Sequence, residues 1–142
     1  MSEVIIKTAN ENDVEVISKH EHHLSKAVLR DKISRNEILA VFDNGIFIGW
    51  LRYGMFMDLV PFMYMLELLP EYRGMGLGKK LVLHWEKNMR GQGYKMVMTS
   101  TQQNEHAQHF YNALGYVAVG GFIQTHEALT DESYEIILSK VL

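Results

Sequence analysis

Pro70-Glu71-Tyr72-Arg73-Gly74-Met75-Gly76-Leu77-Gly78-Lys79-Lys80-Leu81 is the stretch on which the reading of this chain turns. Glycines at 74, 76 and 78 let successive backbone N–H groups point inward around an anion. An amphipathic helix starts in the same place. Leu77, Leu81, Trp85 and Met89 recur every four residues with Val82 beside them, while Lys79, Lys80, Glu86, Lys87 and Arg90 fall elsewhere on the wheel. The helix adds unpaired first-turn amides and the positive end of its dipole, so the turn suits a phosphate or pyrophosphate. A plain tight connection is the alternative, but two glycines suffice for that. Two phosphate loops fail on spacing. A P-loop needs glycine where Arg73 stands and a hydroxyl where Lys80 stands, and a dinucleotide fingerprint needs its third glycine where Lys79 stands.

Working outward, strands and helices alternate. Val4 to Ile6 reads as a first strand, and Thr8-Ala9-Asn10-Glu11 has capping-box spacing ahead of a helix through Val14 and Ile17. A second helix is expected over Leu24 to Ile33. Ile38 to Phe42 and Ile46 to Leu51 flank Asp43-Asn44-Gly45, and Asn-Gly accepts positive φ at both centres of a type I′ turn, so this is a hairpin. A strand from Phe62 to Leu69 stops at Pro70, and Gly91-Gln92-Gly93 closes the helix that follows the glycine turn. Lys95 to Thr101 is the next strand. Asn104 then caps a helix bearing Ala107, Phe110, Tyr111 and Leu114 on one face and ended by Gly115, and strands over Tyr116 to Phe122 and Tyr134 to Ser139 close the chain. The sum is an α/β (α+β) domain with a mixed, mostly antiparallel twisted sheet of about six or seven strands and about four helices.

The length of 142 residues suits one domain, residues 1–142, with no repeat or linker to divide it. With no cysteine there is no disulfide, no thiolate metal site and no thiol nucleophile, and a net charge of −3 argues against nucleic-acid binding. The N-terminal residues lack the pattern of a secretory signal and no window is apolar enough to span a bilayer, so no membrane association and a cytoplasmic location are expected. In His20-Glu21-His22-His23 only His20 and His23 have helical metal-pair spacing and no third ligand is evident, so no metal is expected. His106 and His109 are expected in solvent. The methionines at 55, 57, 63 and 65 and the aromatics Trp50, Tyr53 and Phe56 are expected mostly in the core.

Arg73-Gly74-Met75-Gly76-Leu77-Gly78 resembles the Arg/Gln-x-x-Gly-x-Gly/Ala signature of the GNAT superfamily of N-acetyltransferases, and Asn104, Ala107, Tyr111 and Gly115-Tyr116 are similar to a later motif of that family. The element order resembles the family's over nearly the whole chain. The resemblance implies acetyl-CoA as cosubstrate, with its pyrophosphate on the amides of Arg73, Gly74, Met75, Gly76, Leu77, Gly78 and Lys79. It also implies that main-chain groups of Leu68 and Leu69 meet the pantetheine arm, that Asn104 contacts the cofactor, and that Tyr111 lies beside the sulfur as acid or hydrogen-bond donor.

The implied chemistry is attack of a neutral amine on a thioester within a ternary complex, since no cysteine exists to carry an acyl group. Glu67, the carboxylate of the central strand, is the candidate general base, with a water chain to solvent as the alternative. The resemblance sets the His20–His23 region and the loop carrying Glu127, Asp131 and Glu132 near the acceptor, which is an amine of small-molecule, peptide or protein origin. A homodimer is compatible with the resemblance. A different class of reading is a catalytically silent sensor of CoA or acyl-CoA, which keeps the glycine turn but needs neither Tyr111 nor an acceptor channel.

Overall fold

The computed structural model describes residues 3–103, 106–123, 128 and 134–142. The strands are β1 (Val4–Thr8), β2 (Ile38–Asp43), β3 (Ile46–Phe56), β4 (Val60–Leu68), β5 (Met96–Gln102), β6 (Val117–Ile123) and β7 (Tyr134–Val141). The helices are α1 (Val14–Ser18), α2 (Lys26–Ser34), α3 (Leu77–Gly91) and α4 (Ala107–Ala113). One sheet runs in the order β1-β2-β3-β4-β5-β7-β6, antiparallel throughout except between β4 and β5. Among the described residues no helix is long and apolar enough to cross a membrane.

Local chemistry explains most boundaries. Asn44 and Gly45 hold φ of 50° and 83°, as the type I′ hairpin requires. The first helix runs through Val14 and Ile17, and its box is built two residues later than expected. Asn10 accepts from the Asn12 amide while the Asp13 carboxylate takes the Asn10 amide, leaving Thr8 to end β1. Ser25, not Leu24, caps α2. β3 runs on to Phe56, and its link to β4 turns through Met57 and Asp58, both left-handed without a glycine. Met57 and Phe56 therefore stand exposed at a hairpin tip instead of joining Trp50, Tyr53 and Met63 in the core. Asn104, Glu127, Asp131 and Glu132 lie outside the described residues.

Two apolar layers cover the sheet. On one face α3 and α4 pack Leu77, Leu81, Trp85, Met89 and Tyr111 over Leu51, Met63, Val97 and Leu138. On the other, α1 and α2 pack Val14, Ile17, Leu29 and Ile33 over Ile38, Ala40, Phe47 and Trp50. The first layer also holds a buried carboxylate. Glu86 of α3 is 2% exposed, accepts from the Tyr116 hydroxyl at 2.8 Å and from Lys140 Nζ at 2.7 Å, and so fastens the helix to β7 and to the start of β6. A buried charge is tolerable only with such partners.

The feature that shapes the molecule lies in β4. Arg52 pairs with Met65 and Tyr53 with Met63, so Tyr64 is an extra residue and β4 bulges there. Its parallel pairing with β5 covers only Phe62 with Met98 and Met63 with Thr99, and the Thr99 hydroxyl donates to the Met63 carbonyl at 3.0 Å where pairing stops. Beyond that point the two strands part. A seat holds the bulge. The Tyr64 ring covers Gly54, where a Cβ would lie 2.5 Å from it, and Lys32 Nζ sits 5.3 Å from its centroid. Lys32 itself donates to Glu37 at 2.9 Å and to the Tyr53 carbonyl, and burial pushes its pKa down against the opposing pull of Glu37.

Two outcomes follow from this packing. A Cβ at Gly49 would stand 2.6 Å from both the Glu67 carbonyl oxygen and Leu68 Cδ2, so Gly49→Ala forces apart β3 and the end of β4. Urea unfolding should show a loss of about 1–3 kcal/mol, the usual range for overpacking. Burial, reinforced by Glu37, raises the Tyr53 phenol to about 12, and burial together with Glu86 raises Tyr116 as well. A raised folded-state value stabilises fully below the ordinary phenol pKa of 10.0, and that contribution disappears as pH climbs toward the folded value of about 12. Thermal melts should therefore fall steeply above about pH 10, and Tyr53→Phe should flatten the descent.

Candidate functional site

The parted strands leave a cleft of about 690 Å³ lined by β4 from Tyr64 to Glu67 and β5 from Thr99 to Gln102. Both layers contribute walls, with Ala107 and Tyr111 of α4 from one and His23, Leu24 and Arg52 from the other. The slot thus runs through the sheet. A smaller cavity of about 310 Å³ beside Trp85 and Tyr53 is lined by no charged side chain, whereas the larger is lined by Arg52, Glu67 and Glu135.

Backbone alternation decides what β4 offers the cleft. The Leu69 amide donates to the Ile48 carbonyl at 2.8 Å, and with Gly49 opposite Leu68 and Trp50 opposite Glu67 the main-chain groups of Met65, Glu67 and Leu69 face β3. Those of Leu66 and Leu68 face the other way, toward the departed β5. Of the two leucines marked from sequence, Leu69 turns its main-chain groups toward β3 and Leu68 turns its own away from it, with the Leu68 carbonyl accepting from Arg73 Nε, and Leu66 shares the orientation of Leu68. Only the register reveals it.

The glycine turn follows directly on β4 and is tied by Arg73 to Glu67, which lines the cleft. Pro70–Tyr72 forms a short 3-10 turn, and Gly74 and Gly76 adopt φ of 76° and 80°. A Cβ at either would meet nothing within 4 Å, so the left-handed backbone, not crowding, calls for glycine. The first α3 bond runs from the Lys80 amide to the Gly76 carbonyl, which leaves the Leu77, Gly78 and Lys79 amides without intrahelical partners at the positive end of a 15-residue helix. Gly78 approaches the Phe110 ring, with 3.6 Å from its built Cβ, and brings α4 against the turn. Met75 is exposed, as are Lys79 and Arg73.

Arg73 is committed elsewhere. Its Nε donates to the Leu68 carbonyl at 2.9 Å and its Nη2 to Glu67 Oε1 at 2.8 Å. The guanidinium therefore braces the turn against the end of β4, and the Arg73 amide donates to the Pro70 carbonyl at 3.3 Å. Both partners are about half exposed, so this ion pair orients more than it stabilises. Glu67 lines the cleft and keeps Oε2 outside that pair. Tyr111 is 7% exposed and also lines the cleft, its ring held edge-on by Phe110 at 5.1 Å and by Tyr116 at 5.6 Å. Tyr116 in turn is fixed by Glu86, so the α3 anchor reaches the cleft wall.

The histidine run is not helical. Glu21 within it is 3% exposed and bound to Trp50 and Arg52, a buried carboxylate whose sequence context gave no sign of burial. His106 and His109 are exposed. Among the described residues no three histidine or carboxylate side chains stand close enough together to hold a metal ion.

Known proteins share this fold. The family model described as Acetyltransferase (GNAT) family matches residues 6–116. A curated relative, the 5-NmdU N-acetyltransferase of Pseudomonas phage PaMx11, is 34% identical over 58 residues, which cover 41% of this chain and 40% of the phage protein. This chain thus spans well under half of the length of that relative. Among solved structures, Ard1 from Thermoplasma volcanium superposes with a TM-score of 0.82 at 15% identity, covering 98% of this chain and 97% of the other. The PaiA N-acetyltransferase from Thermoplasma acidophilum in complex with coenzyme A gives 0.74 at 17% identity, covering 99% of each.

Proposed function

The chain belongs to the GNAT acetyltransferase family, and from that premise we propose that residues 1–142 act as one domain that transfers the acetyl group of acetyl-CoA directly to an amine in a ternary complex. The observation that carries this reading is the cleft where β4 and β5 part, together with the glycine turn that follows β4 and is tied by Arg73 to Glu67 in the cleft wall. The pyrophosphate is assigned to the amides from Arg73 through Lys79, with Lys79 near enough in sequence to add its charge. The pantetheine arm is assigned to the outward main chain of Leu66 and Leu68, where it continues the ladder that β5 abandons, much as an added strand does. Asn104 keeps its assignment as a cofactor contact.

Transfer requires a C–N bond to form and a C–S bond to break. The amine nitrogen attacks the thioester carbonyl, the tetrahedral centre collapses, the sulfur takes a proton and the nitrogen gives one up. Tyr111 is the assigned proton donor to the sulfur, and the two flanking rings that fix its own ring limit the reorganisation this step needs. Glu67 is the assigned acceptor of the amine proton through Oε2, directly or by one water. The absence of cysteine from the sequence supports direct attack over an acyl-cysteine intermediate. A silent acyl-CoA sensor has no need of a slot walled from both layers, and the transfer reading is preferred for that reason.

Thiol release from acetyl-CoA with a panel of amines tests the activity. Tyr111→Phe should lower turnover by up to roughly 10²-fold while calorimetry shows coenzyme A affinity nearly retained, and unchanged turnover would remove Tyr111 from the mechanism. Glu67→Gln should abolish the ascending limb of the pH–rate profile. An intact limb assigns the proton to a water chain instead.

A further inference from the structure

The acceptor half of the slot contains a built donor site. Glu21 follows α1, and its side chain is 0% exposed. It accepts from Trp50 Nε1 at 3.1 Å, from Arg52 Nε at 3.2 Å and from the His23 amide at 3.0 Å, with His23 Nδ1 at 3.5 Å. A buried carboxylate gripped by three N–H donors on two elements has one orientation, and it imposes one on Arg52. The Arg52 side chain is 11% exposed and lines the cleft beside Tyr64 and Met65.

Only Nε of that guanidinium is engaged. Its Nη groups donate to no acceptor among the described residues, and neither is buried out of reach of solvent. The Nη edge is a planar pair of donors held still, a geometry that matches a carboxylate or an amide carbonyl. Glu21 cancels the formal charge of Arg52. The pair therefore offers directed hydrogen bonds without net charge of its own, in a cleft also lined by Glu67 and Glu135, which suits a planar oxygen better than a phosphate. We propose that Arg52 binds the acceptor, and that the amine acetylated here carries a carboxylate or amide carbonyl close to its nitrogen. The inference rests on the transfer reading of the slot and adds the class of acceptor to it. Glu21 is the positioning residue.

Matched acceptors separate the possibilities: phenylalanine, phenylalaninamide and phenethylamine, a second set of alanine, alaninamide and ethylamine, and phosphoethanolamine. In one set at least, kcat/KM for the acid or the amide should exceed that for the plain amine by about tenfold or more, and the winning form identifies the oxygen recognised. Arg52→Lys keeps a cation beside Glu21, so the fold is retained, but it loses the fork; the preference should shrink by about fivefold or more, chiefly through KM. Glu21→Gln, with Arg52 intact but loosened, should shrink it in the same direction, and thermal melts report whether either variant is folded. A preference for the plain amine or for phosphoethanolamine, or a preference unchanged in folded Arg52→Lys, overturns the proposal while leaving acetyl transfer standing. Thiol release with none of these amines, with coenzyme A still bound, also counts against the proposal. Failure to bind coenzyme A at all overturns the transfer reading beneath it.

Discussion

The rest of the structure depends on the loss of pairing between β4 and β5 after two residues of register. In a continuous sheet the main-chain groups of Leu66 and Leu68 would be consumed by a neighbour. The extra residue at Tyr64 bends β4 away instead, and those groups are left facing a slot. Unpaired strand edges are costly when buried, so the opening persists only because both sides are restrained. Gly54 and Lys32 seat the bulge, the Thr99 hydroxyl covers the last paired carbonyl, and the bond from the Leu69 amide to Ile48 keeps the far end of β4 on β3.

Each layer contributes a buried carboxylate to that restraint. Glu86 ties α3 to Tyr116 and Lys140, and Tyr116 braces the Tyr111 ring. Glu21 ties the segment after α1 to Trp50 and Arg52 of β3. Both are satisfied by several donors, and each fixes a side chain that reaches the slot from its own face. Electrostatics here specifies geometry more than it adds stability.

Signals carried by local backbone chemistry were legible in the sequence. Asn44-Gly45 announced a hairpin, alternate glycines before an amphipathic helix announced a left-handed turn into α3, and helical spacing put Tyr111 on the face that meets the core. What could not be read depends on pairing between distant segments. Whether Leu66 or Leu69 faces the slot is set by register with β3, and a one-residue difference reverses it. The bulge at Tyr64 leaves no compositional mark, and the left-handed Met57-Asp58 turn uses residues that ordinarily avoid that conformation. Glu21 looked like one more polar residue in a histidine run. Its burial follows from Trp50 and Arg52, about thirty positions away, both lacking a closer acceptor.

A slot walled from opposite layers also separates two kinds of inheritance. The glycine turn and the outward edge of β4 belong to β4 and α3, whereas Arg52 and Glu21 belong to β3 and the segment after α1. On the proposed assignment, substitutions in the short α1–α2 connection retune which amine is admitted and leave the glycine turn undisturbed. A descendant of this gene has a short mutational path to a new acceptor, and a long one to a new acyl carrier.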